Sequence, residues 1–229
     1  MERPLATAGA PQLSKNMQNT QVIQLFLKGG PIMWPILLVS VVALATVLER
    51  IVFIALEKAR RDRRAVRDIF SRVEHGDADG AVGVGAASRD FVARVLVAAL
   101  RERDTSFTNA LLAQSSEELG RYNRGLSVLD TVITLSPLLG LLGTVTGMIH
   151  SFGIIAGELD APAAITGGIA EALIATAFGL GVAITALIPY NYLNARMEEA
   201  RREIEVAGNR LELLLVKHSA APAAAAKEV

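Results

Sequence analysis

The sequence predicts an all-α integral membrane protein, with three transmembrane helices that carry long helical extensions into the cytoplasm. Three observations lead there. Three apolar runs, within 32–56, 128–153 and 168–193, each exceed the roughly 20 residues that a helix needs to cross the hydrocarbon. Charge is segregated: 13 Lys or Arg lie between Glu57 and Ser127, none lies between Gly153 and Gly167, and six follow Tyr190. The second and third runs also carry Gly, Ser, Thr and Ala at steps of three and four, which suits close contact between helices better than contact with lipid.

Residues 1–19, rich in Ala, Pro, Gln and Asn, show no periodicity and read as a disordered tail. Over 20–31, Val22, Ile23, Phe26 and Leu27 form one apolar face of a short interfacial helix, stopped by Gly29, Gly30 and Pro31. The first span, 32–56, is too long for a signal-peptide core, and Trp34 at its start suits the interfacial aromatic belt. Lys58, Arg60, Arg61, Arg63, Arg64 and Arg67 follow it directly, so by the positive-inside rule this end is cytoplasmic and the N-terminus lies outside.

A cytoplasmic helical domain is expected over 57–127. It reads as a charged continuation of the first helix to about Val73, a Gly/Asp-rich break from Gly76 to Gly85, and a helix with apolar residues at 91, 92, 95, 96, 99 and 100. Thr105 or Ser106 is an N-cap candidate for a further helix, read as able to run unbroken into the second span, 128–153. An outer loop over 154–167 leads to the third span, 168–193. That helix continues as an extension over 194–218, about 75 Å in all from Gly168 to Lys217. Within it Met197, Ala200, Ile204, Ala207, Leu211 and Leu214 form an apolar seam of about two and a half heptads, expected to hold copies of the chain together. Glu198 and Arg202 are spaced for an i,i+4 pair. Residues 219–229 read as a low-complexity tail.

Composition excludes several classes of function. The 229 residues hold 23 Lys or Arg and 23 Asp or Glu, so nothing suggests a nucleic-acid partner. Cysteine is absent, and His75, His150 and His218 are far apart, so neither disulfides nor a metal site is expected. No phosphate-binding glycine loop and no nucleophile–base pair at workable spacing is present. Neither an enzyme nor a bound cofactor is expected.

Glu171 is the sharpest signal. An acidic residue at a helix centre costs about 2.5 to 3.5 kcal/mol to insert, less near the end where Glu171 lies, and such a residue calls for a partner or a use. It could simply reach the interface or bond a neighbouring Thr, or it could serve ion passage. Thr144 and Thr176 are weaker candidates, because a threonine in a span often bonds its own backbone. Thr176 lies about 140° around an ideal helix from Glu171, so the two need not share a face. His150 and Asp130 read as interfacial residues. Gly140, Gly143, Gly147 and Gly179 are the helix-packing positions.

LLGLLGTVTGMIHSF at 138–152 and GIAEALIATAFGLGVAI from Gly168, in a three-span layout, resemble the MotA/TolQ/ExbB family of proton channels, most closely its ExbB/TolQ branch. The resemblance covers about 32–215 and is specific at GTVTGM and GIAEALIAT; Thr146 departs from it, where close relatives often carry Trp. It implies that Thr144, Glu171 and Thr176 line or border a proton pathway, with protons as the coupling ion. It also implies a homopentameric ring in the bacterial inner membrane around an ExbD/TolR-like single-span partner. That motor would use the proton motive force to serve a TonB- or TolA-like protein.

Overall fold

The computed structural model describes residues 23–155 and 162–225, with side chains over 23–152 and 166–217. The expected tail over 1–19 and residues 156–161 of the expected outer loop lie outside these residues. Every regular element among the described residues is helical. A short helix, α1, occupies 23–28. After it come α2 (Met33–Ala59), α3 (Arg63–Glu74), α4 (Ala78–Ala87), α5 (Phe91–Arg101), α6 (Phe107–Asn123), α7 (Leu126–Ile155) and α8 (Pro162–Ala225). Three of them, α2, α7 and α8, are long and apolar enough to cross a membrane. The chain is a multi-pass membrane protein. It divides into a spanning unit, 1–45 with 129–188, and a second unit, 46–128 with 189–229.

In the spanning unit α7 and α8 run antiparallel and touch through their small residues. A Cβ added to Gly140 would stand 3.0 Å from the Thr176 Cα, and one on Gly143 would stand 2.5 Å from the Ala175 Cβ. One on Gly147 would lie 3.0 Å from both the Ala172 Cβ and the Gly168 carbonyl. One on Gly179 would lie 2.5 Å from the carbonyl oxygen of Ser136. Only glycine allows backbones this close, and in lipid such packing replaces the hydrophobic drive that water supplies elsewhere. Ser136 and Ser151 are buried in the same stripe and donate to the carbonyls of Val132 and Gly147 at 2.7 and 2.9 Å. Leu138, Leu141, Ile149, Phe152, Leu173 and Ile184 point away and are exposed. The start of α2 completes the unit, with Met33 and Ile36 buried together with Ala175.

In the second unit α3, α4 and α5 pack on the later half of α8, and α6 closes the core through Leu111, Leu119 and Tyr122. Several expectations change here. The first helix stops at Ala59, and Asp62 starts α3 by accepting from the backbone N–H groups of Arg64 and Ala65. The stretch expected as a Gly/Asp-rich break contains a helix, α4. Asp77 caps it through Gly80 N–H at 2.8 Å, and burial of Ala81 and Gly85 in the core offsets the weak helix propensity of its glycines. Ser106 does sit at the N-cap of α6. That helix ends at Asn123, because Gly125 takes a left-handed φ of +80°, so it does not run unbroken into α7.

The seam on α8 was expected to join copies. Its Ala200, Ile204, Ala207 and Leu211 are instead buried in this chain's own core, because α5 and α6 present a complementary apolar surface. The local ion pair on that helix is Arg196 with Glu199 at 2.7 Å, not Glu198 with Arg202. Helix α8 begins at Pro162 and runs to Ala225, about 96 Å of contour, taking in residues expected as loop and as tail.

Candidate functional site

Glu171 lies on α8 one residue off the buried line of Gly168, Ala172, Ala175 and Gly179, and is half-buried. Its carboxyl group is seated on the Gly29–Gly30 turn that joins α1 to α2. Gly30 has a φ of +73°, which favours glycine, and any Cβ there would overlap the Glu171 carboxyl. Gly29 is packed as tightly, with Met33 and the Ile174 side chain where its Cβ would be. Gly30 thus puts bare backbone beneath the carboxyl group, while Gly29 makes room for Met33 and Ile174.

Among the described residues, no cation and no hydrogen-bond donor engages Glu171. It is neither neutralised by a partner nor tied to a neighbouring threonine.

The two threonines differ. Thr176 donates across the interface to the Gly140 carbonyl at 2.9 Å, at the level where α7 and α8 are nearly in backbone contact. Thr144, half-buried, bonds back to the Leu141 carbonyl of its own helix at 2.6 Å. Gly140, Gly143, Gly147 and Gly179 all lie in the buried stripe. His150 and Asp130 are exposed.

Sequence reasoning treated Gly29 and Gly30 only as a helix stop. Their signal was the doubled glycine directly before a span, where one would have ended α1. It also missed a set of buried charges in the second unit. Asp90, fully buried, caps α5 through Val92 N–H at 2.8 Å and pairs with Arg61 at 3.2 Å; Arg61 also pairs with Glu203. Glu118 takes both arms of Arg94, at 2.7 and 2.6 Å, a hydrogen-bonded pair that raises the Arg94 pKa further. Glu57 lies 3.6 Å from the same Arg94, with both carboxylate oxygens buried and without a hydrogen bond among the described residues. Burial pushes the phenol of nearby Tyr122 well above its ordinary value.

Residues 87–206 match the family described as the MotA/TolQ/ExbB proton channel family. A Synechocystis protein named biopolymer transport protein ExbB-like 1 is 38% identical over 205 residues, covering 86% of this chain and 80% of its own length. The Tol-Pal system protein TolQ of Pseudomonas aeruginosa is 44% identical over 90 residues, 39% of each chain. Biopolymer transport protein ExbB of Neisseria gonorrhoeae is 36% identical over 98 residues, 42% of this chain and 44% of its own. With a family match over more than half its length and an ExbB-like relative matched along most of both chains, this protein belongs to the MotA/TolQ/ExbB proton channel family, in its ExbB/TolQ branch.

Proposed function

We propose that this chain is the proton-channel subunit of an inner-membrane motor of the ExbB–ExbD or TolQ–TolR type, driven by the proton motive force. The observation that carries the reading is Glu171: a carboxyl in an apolar helix, seated on bare glycine backbone and engaged by no donor. Thr176 and Thr144 border the pathway, and the glycines of α7 and α8 hold its walls. Copies form a pentameric ring, as the family resemblance implies, with the exposed faces of α7 and α8 open to neighbouring copies or lipid. The single carboxyl per chain needs a second acceptor, supplied by an ExbD/TolR-like single-span partner within the ring. The moving partner then does work on a TonB- or TolA-like protein in the envelope. The N-terminus lies in the periplasm and the C-terminus in the cytoplasm, as the basic residues after the first span require.

One charge crossing 100 mV yields about 2.3 kcal/mol, so loss of the titrating group should abolish coupling. Glu171→Gln keeps the shape and cannot exchange a proton. In liposomes under a pH gradient, the chain with an Asp-bearing single-span partner should pass protons, and the Gln variant should not, while both give the same oligomer mass. Equal flux from the Gln variant would refute the role of Glu171, and rapid flux from the wild-type chain alone would refute the need for a partner.

A further inference from the structure

The surface of the second unit carries two edges of opposite charge on one helix. On one side of α8 a groove of about 520 Å³ opens between α3 and α8, floored by Val66, Phe70 and Val92. Four exposed arginines rim it: Arg63 and Arg67 from α3, Arg202 and Arg210 from α8. Its two acids are already matched, Glu203 by Arg61 and Glu199 by Arg196. Among the described residues none of the four arginines has an ion-pair partner, and Arg210 lies over the Phe70 ring at 4.5 Å. On the other edge of α8, Glu205 and Glu212 are exposed, without ion pairs among the described residues, and stand seven residues apart, with Arg201 one turn before Glu205 on the same edge. Val206, in the lining of the groove, and Leu213 are 69% and 72% exposed and again seven residues apart.

An apolar strip with a seven-residue repeat, flanked by acids on one side and bases on the other, is the pattern by which parallel helices choose partners and register. Both signs occur on one chain, so the surface is complementary to itself only after rotation. Used head to tail, with the bases of one copy on the acids of the next, such a contact is heterologous and forms a ring where its rotation closes. We propose that the arginine-rimmed groove of one copy receives the Glu205–Glu212 edge of α8 from a second copy. With the two α8 helices parallel and in register, Arg202 faces Glu205 and Arg210 faces Glu212. The two arginines of α8 lie beyond the lipid headgroups. Arg202 and Arg210 lie 13 and 21 residues beyond Pro189, where the apolar run ends, about 20 and 32 Å along the helix. The headgroup layer is only about 5–8 Å deep.

The inference rests on the ring reading and adds its electrostatic seam. The Cys-free chain allows a direct test at full length in detergent. Two single-cysteine chains, Arg210→Cys and Glu212→Cys, expressed together should cross-link to each other. Arg202→Glu with Arg210→Glu should raise the monomer fraction about tenfold, since like charges would then face each other. Adding Glu205→Arg and Glu212→Arg to the same chain should restore the ring, because both facing pairs are then exchanged, with Arg63 and Arg67 left as they are. A wild-type ring without the cross-link, or failure of the swapped chain to recover, would overturn the proposal and leave the ring intact. Wild-type protein running as a monomer would overturn both. Should the arginine reversal instead abolish binding to phosphatidylglycerol vesicles with mass and cross-link unchanged, the groove serves lipid and the proposal falls. Circular dichroism separates these outcomes from misfolding, and the cross-link does not depend on the reversed variant.

Discussion

The two units of this chain bury opposite kinds of residue. In the spanning unit the hidden face of α7 is Ser136, Gly140, Gly143, Gly147 and Ser151, while its large side chains face outward. In the second unit the hidden face of α5 is Phe91, Val92, Val95, Leu96 and Leu100, around buried carboxylates matched by arginines. The difference follows from the surroundings. Where lipid already welcomes leucine, stability comes from close backbone contact; where water surrounds the helices, it comes from removing large apolar groups. Helix α8 obeys both rules in turn, showing Ala172, Ala175 and Gly179 inward early and Ile204 and Leu211 inward later.

The contrast can be broken most severely at Gly179. Gly179→Leu would force a side chain into the Ser136 carbonyl, and backbone cannot give way as a side chain tip can. The chain should fail to accumulate as a folded species in membranes, while Leu180→Ala, at an exposed neighbour, should behave as wild type. In the second unit the damaging change runs the other way. Leu96→Ala should cost about 2–5 kcal/mol, read as a lowered unfolding temperature in detergent, because it leaves a cavity in a fully buried site. The smallest expected effect separates the threonines. Thr176→Val removes an interhelical bond, worth about 0.6 kcal/mol on average in membranes, and should lower thermal stability measurably. Thr144→Val removes a bond within one helix and should change it less. Equal losses would mean that the interhelical bond adds nothing to the packing.

Much of this was legible in the sequence, and the residues show why. Glycine and serine at steps of three and four can be explained in a span only by close packing, so the buried stripe of α7 could be read directly. Glu171 was legible because a carboxylate there has few bland explanations. What was not legible was the use of a pattern that several partners could satisfy. The seam from Met197 to Leu214 signals an apolar contact but not whether α5 of the same chain or a second copy supplies the other half. Likewise Ala78–Ala87 carries three glycines and a weak pattern, and only burial of Ala81 and Gly85 makes it a helix. The doubled glycine at 29–30 says that the backbone must turn, and says nothing of a carboxyl 141 residues further on.

That last contact has a consequence for genetics. The seat under Glu171 is made by an atom that is missing, so it can be destroyed without touching any charged residue. Gly30→Ala introduces a methyl group where the carboxyl sits, on a backbone that L-residues resist. A strain carrying it should lose coupling while keeping every residue of the GIAEALIAT segment, and a search confined to ionisable positions would never find it. Its natural suppressor is Glu171→Asp, which withdraws the carboxyl by one methylene and makes room for the methyl. Recovery of that pair among revertants would tie the turn before the first span to the carboxyl of the third by inheritance alone.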